Sequence, residues 1–210
     1  YLATTRRGRD WSVNHVNDVR HLHGGFLFDE PVFGSEAGQV PDDERVEATQ
    51  SMMREAFEYA RQRGVKVNFA LDFDVASCNP QDMIQSLAAA DRMSQGDFQL
   101  ARPDTPGGYA YYKAQAAALM NAYPELDTVS LWRRAGGTPW TELRLDEMPA
   151  SWQEEYQSIV AEDPAAAELH QAEVTFAMAK VVAAWRRALN ELGWGQVKLA
   201  YGSWYLNGDF

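Results

Sequence analysis

Cysteine is almost missing from this chain of 210 residues, where Cys78 stands alone. A single thiol excludes an internal disulfide framework and any zinc site built on cysteines. Histidine is scarce as well, with four in all, and basic residues fall short, with 19 Lys and Arg against 30 Asp and Glu. The net charge of −11 argues against nucleic acid and against an anionic membrane surface, since both are held by clustered Lys and Arg. No apolar run approaches the roughly 20 residues that a bilayer span requires. No signal-like apolar stretch follows Tyr1. The first residue is Tyr1 and not methionine, so the chain is expected to be processed, trimmed or cut from something longer. Its compartment stays open among cytoplasm, periplasm and secretion, because exported bacterial proteins also can lack disulfides. Gly-x-Gly-x-x-Gly and Walker runs are absent, which leaves no case for a nucleotide, and no cofactor is expected.

What is present describes a folded globular protein: 46% of residues are hydrophobic and 12% aromatic. Short apolar runs alternate with helical patterns. The first strand is expected over residues 24–31, ended by Pro31. A helix follows over 42–63, with acidic residues in its first turn and Gly64 at its end. Val46, Met53, Phe57 and Ala60 share one face of it. A second strand is expected over 65–74. A helix from the Asn79-Pro80 cap to about Met93 comes next, then a loop with a short extended piece over 96–105. Pro106 opens another helix to about Ala122. A third strand is expected over 127–132, an irregular insertion over 136–150, a short helix over 151–160, a long amphipathic helix over 164–192, and a fourth strand over 197–201.

Strands separated by helices imply parallel pairing through crossovers. Polarity along the strands chooses between an open doubly wound sheet and a barrel. Val65, Val67, Phe69, Leu71 and Phe73 point one way, while Lys66, Asn68, Ala70, Asp72 and Asp74 point the other. Central strands of a doubly wound sheet should be apolar on both faces. One apolar and one polar face therefore leads to the expectation of an α/β fold of the (β/α)8 TIM-barrel type. A whole barrel typically takes about 250 residues. With about four βα units, the chain reads as a single partial barrel domain over 1–210, its remainder lying outside the sequence.

Functional groups in that architecture sit at the carboxyl ends of strands. The rule selects Asp29 and Glu30, then Asp72 and Asp74, as candidate catalytic carboxylates. It selects Arg133, Arg134, Trp132, Trp204, Tyr205, Asn207 and Asp209, with Ser203 beside them, as candidate substrate contacts. Acids, amides and aromatic faces suit a polyhydroxylated ligand, and two carboxyls can act as acid and base. Each has a structural alternative. Asp29 or Glu30 can cap a turn, Asp72 and Asp74 can pair with Arg133 or Arg134, and the tryptophans can fill the core. The arginines can equally clamp a uronate carboxylate or a sulfate. His15, His21 and His23 lie together, and His21-Leu22-His23 resembles the histidine pair that opens some metal-dependent barrel hydrolases. Here it precedes its strand, and His170 lies in a predicted helix, so no metal is expected. Gly136 to Trp140 reads as a turn, and Cys78 has no histidine partner.

The segments GGFLFDEPVFGSEA, EAFEYARQRGVKVNFALDFD and AYPELDTVSLWRR resemble the barrel domains of glycoside hydrolases related to α-glucuronidases and hexosaminidases. The resemblance covers about residues 24–135. It implies a carbohydrate-active enzyme using carboxylate acid–base chemistry on a poly- or oligosaccharide, acidic sugars included. Relatives of that kind carry an acid soon after the Leu-Trp of the third strand, where this chain has Arg133-Arg134. Other readings are a sugar isomerase, a metal-dependent hydrolase, or a carbohydrate-binding barrel without catalysis.

Overall fold

The computed structural model describes residues 45–73, 78–133, 140, 143–169 and 171–203. The chain divides into two compact units, Tyr1–Val65 and Lys66–Phe210. In the first, the described element is helix α1 (Arg45–Gln62). Gln50, Met53, Phe57 and Ala60 are its less exposed described positions, the last three at the spacing the sequence predicts. Gly64, with φ of 74°, ends it: the Gly64 N–H reaches the Arg61 carbonyl and the Val65 N–H the Ala60 carbonyl. That pair of bonds closes the last turn, and a β-carbon would be strained in the left-handed conformation it needs.

The second unit is built on strand β1 (Asn68–Asp72), helix α2 (Gln81–Gln85), strands β2 (Arg92–Gln95) and β3 (Phe98–Ala101), helix α3 (Pro106–Ala122) and strand β4 (Thr128–Arg133). Helices α4 (Ala150–Glu162) and α5 (Ala172–Glu191) and strand β5 (Lys198–Ser203) complete it. Strands β1, β4 and β5 form a parallel sheet in that order, while β2 and β3 form a separate antiparallel hairpin.

This corrects the barrel expectation. The described residues make a mixed α/β fold of five strands in two sheets, with no closure. Alternation of apolar and polar residues reports only that one strand face is covered. Phe69 stacks on Tyr123 at the end of α3, and Phe73 meets Tyr112 of α3 and Trp185 of α5. Val129 and Leu131 are buried on the same side. On the other side Asn68, Ala70 and Asp72 of β1 and Lys198 and Ala200 of β5 are exposed, while Ser130 and Gly202 are buried, so the outer strands carry their polar face to solvent and not into a barrel lumen.

Local differences have local causes. The helix expected to reach Met93 stops at Gln85, and Arg92 to Gln95 pair with Phe98 to Ala101 across a two-residue turn. Gly96, at φ of 51°, occupies that turn. The long helix expected from 164 begins as a 3₁₀ turn at Pro164–Ala167, and α5 starts at Ala172 after Gln171, whose φ is 55°. Helix α3 follows the sequence expectation: Thr105 accepts from the Gly108 N–H, Pro106 occupies the first turn, and the Asp91 carboxylate accepts from the Gly107 N–H. The strand expected over 24–31 lies outside the described residues. Asp127, in the Tyr-Pro-Glu-Leu-Asp run, accepts from the Val67 N–H at 2.9 Å and pairs with Lys66, tying the entries of β1 and β4.

Candidate functional site

Register brings the strand ends together. Asp72, Trp132 and Gly202 lie side by side across β1, β4 and β5, on the open face. Trp132 is half-buried, and its six-membered ring lies over Gly202: a β-carbon there would stand 2.5 Å from Cε3 and Cζ3. Only glycine at 202 lets the indole lie down. The Ser130 hydroxyl donates to Asn68 Oδ1 at 2.9 Å on the same face. The face thus offers an aromatic plane, an amide–hydroxyl pair and the exposed carboxylate of Asp72, with Lys198 at its far end.

One residue along, the chain turns to the helix-covered side. Phe73, Arg133 and Ser203 are all buried there, and Arg133 is in register with Ser203. Arg133 is 2% exposed; its Nη1 donates to the side-chain oxygen of Gln171 at 2.6 Å. It therefore makes no ion pair with Asp72, which points to the opposite face. Asn79 is buried at this edge, donating to the Phe73 carbonyl at 3.0 Å and accepting from Trp140 Nε1 at 3.3 Å. The Cys78 carbonyl accepts from the Tyr111 hydroxyl and from Gln115 Nε2. Burial, and then the neighbouring Cys78, push the Tyr111 hydroxyl far above its ordinary range, so it is a fixed donor and not a titrating group.

Of the residues expected to carry chemistry, Asp72 and Trp132 come together, and Arg133 lies at the same edge with its side chain on the other face. Asp29, Glu30, Asp74, Arg134, Trp204, Tyr205, Asn207 and Asp209 lie outside the described residues, as do all four histidines. Sequence reasoning missed Gly202, Asn79, Trp140 and Gln171. The contacts of all four depend on long-range pairing that no local pattern in the sequence carries. Among the described residues no group of three or more His, Cys, Asp or Glu could hold a metal ion, and no helix is long and apolar enough to cross a membrane. Comparison with protein-family models, curated proteins and solved structures finds no match for the chain.

Proposed function

We propose that this chain handles a saccharide on the open face of its parallel sheet, as a glycoside hydrolase-like enzyme in which Asp72 supplies one catalytic carboxylate. The observation that carries the reading is the Trp132 ring laid over Gly202 beside Asp72. A sugar ring presents C–H groups to an aromatic plane and hydroxyls to amides and carboxylates. Both kinds of partner stand on adjacent strands here. All-parallel sheets are ordinarily covered on both faces, so an exposed polar face is a place for a ligand. In hydrolysis one carboxyl protonates the departing glycosidic oxygen while a second activates water or attacks the sugar. Asp74, Asp29 and Glu30 are the sequence's candidates for that second role.

A panel of oligosaccharides tests the reading, with Asp72→Asn and Trp132→Ala beside the wild type. Asp72→Asn should bind and fail to turn over. Trp132→Ala should lose about 0.5–1.5 kcal/mol of stacking, a two- to tenfold weaker affinity. Wild-type turnover by Asp72→Asn overturns the catalytic role, and absence of saccharide binding overturns the reading whole. One observation favours a second reading, saccharide binding without catalysis: Asp72 is the only carboxylate among the described residues of that face. Binding without turnover by the wild type selects it.

A further inference from the structure

The indole of Trp132 leans away from the carboxylate it stands beside. Asp72, Trp132 and Gly202 are neighbours across β1, β4 and β5, and the six-membered ring of Trp132 stands over Gly202. The aromatic surface therefore lies on the β5 side of β4, while Asp72 lies on the β1 side. Adjacent strands are about 4.8 Å apart, so the backbone at Asp72 and at Gly202 is separated by about 9–10 Å across the sheet. One strand spacing is comparable to the step of one sugar unit along a chain. The next row of the same face, toward the amino ends of the strands, holds only the short side chains of Ala70, Ser130 and Ala200. Nothing bulky in that row stands in the way of a ligand lying across the strands. Beyond it, exposed Asn68 reaches back to the row, its Oδ1 accepting from the Ser130 hydroxyl at 2.9 Å. Its Nδ2 has no partner among the described residues. An amide held by its oxygen thus keeps two N–H donors for a ligand, on the β1 half of the face where Asp72 also stands.

We propose that this face takes at least two linked sugar units laid across the strands, Trp132 stacking one and Asp72 with Asn68 serving the next, an inference that rests on the saccharide reading. The site then has two halves. On the β5 half the indole gives an apolar plane to the C–H groups of one ring. On the β1 half the Asp72 carboxylate accepts from a hydroxyl, or acts at the glycosidic oxygen, and the Asn68 amide donates to a hydroxyl of that second unit. The ligand class is an oligosaccharide, and a lone monosaccharide fills the Trp132 half alone.

The full chain is titrated with glucose, cellobiose and cellotriose, with maltose and maltotriose, and with xylose, xylobiose and xylotriose. In a series that binds, the second unit should raise affinity at least about tenfold, the lower end for a hydrogen bond to a charged group. Asp72→Ala should lose most of that gain and keep the monosaccharide affinity within about twofold, as separate contacts require. Asn68→Ala should lower the gain by about two- to tenfold, again without touching the monosaccharide. Trp132→Ala should weaken monosaccharide and disaccharide by one common factor, about two- to tenfold, and leave their ratio as it is. Asp72 and Asn68 are exposed, so their variants carry the test even if Trp132→Ala does not fold. Equal affinity for one unit and two overturns the inference and leaves the saccharide reading standing. So does a monosaccharide weakened by Asp72→Ala as much as by Trp132→Ala, because a single unit then touches both residues. Absence of binding for every sugar overturns the saccharide reading, and the two-unit site with it.

Discussion

Trp132 and Gly202 are complementary across the β4–β5 pair, the indole occupying the space a side chain at 202 would fill. Gly202→Ala therefore forces the ring to lift or the strands to part. Overpacking of this kind costs about 1–3 kcal/mol, which urea unfolding would register. The same variant should weaken saccharide binding as much as Trp132→Ala does. Full affinity in Gly202→Ala would mean that the flat ring is not the platform.

Asp104 joins the start of α3 to α4. It takes two bonds from Arg102, at 3.2 and 2.8 Å, and one from Trp152 Nε1 at 2.8 Å. Burial pushes its carboxyl up, but the Arg102 and Trp152 bonds outweigh it and hold the group below its ordinary value. Asp104→Asn should destabilise by about 1.5–3 kcal/mol, the range for bonds to a charged acceptor. Trp152→Phe keeps the ring against Phe176 and loses only the N–H, so about 0.5–1.5 kcal/mol is expected. Chemical denaturation of the two variants checks the order, and a larger loss in Trp152→Phe would contradict it.

These contacts mark what a linear reading can reach. Helix ends set by neighbours in the chain were legible: Gly64 closing α1, and Thr105-Pro106 opening α3. Strand positions were legible too, because β1, β4 and β5 alternate. Alternation does not say what the polar face meets, and the barrel expectation rests on Asn68, Ala70 and Asp72 facing away from the core. Gly96-Asp97 is a hairpin signal, yet the helix expected to about Met93 takes in the start of Arg92 to Gln95, which pairs as a strand. At the candidate site, the strand-end rule selects Asp72, Trp132 and Arg133, which the register brings to one sheet edge. Gln171 and Asn79 escaped it, since their roles come from partners 38 and 61 residues away.

Glu191 predicts a pH dependence confined to acid. Hydrogen bonds from Lys113, at 2.7 Å, and Arg187, at 2.8 Å, lower its carboxyl from 4.5 to about 2. A depressed carboxyl stabilises the fold above its unfolded value, and that contribution disappears as pH falls through the folded one. The difference in urea midpoint between wild type and Glu191→Gln should stay constant above about pH 5. It should close between 4.5 and about 2. The group is exposed, so added salt should shrink the difference. A gap that persists unchanged to pH 2 would mean that the two cations do not act on this carboxylate.

Asn79 gives the sharpest test of the sheet's carboxyl edge, because its donor and acceptor serve different parts of the chain. Its Nδ2 holds the Phe73 carbonyl just after β1, and its Oδ1 receives the Trp140 indole N–H. Asn79→Asp keeps the shape and the acceptor but turns a carboxylate oxygen toward the Phe73 carbonyl in a buried site. Two acceptors then face each other without water, at a cost of about 1–3 kcal/mol or more for the charged form. Protonation of that aspartate restores a donor, so the variant should recover stability as pH falls, opposite in sign to the loss that Glu191 brings to the wild type. Asn79→Ala removes both bonds and leaves the Phe73 carbonyl and the Trp140 N–H without this partner at every pH. A pH series of urea midpoints on the two variants should therefore converge toward wild type for Asn79→Asp and remain offset for Asn79→Ala. Parallel curves would show that the edge is held by packing of Trp140 and Phe73 alone, and that the amide is not what fixes the strand end beside the candidate site.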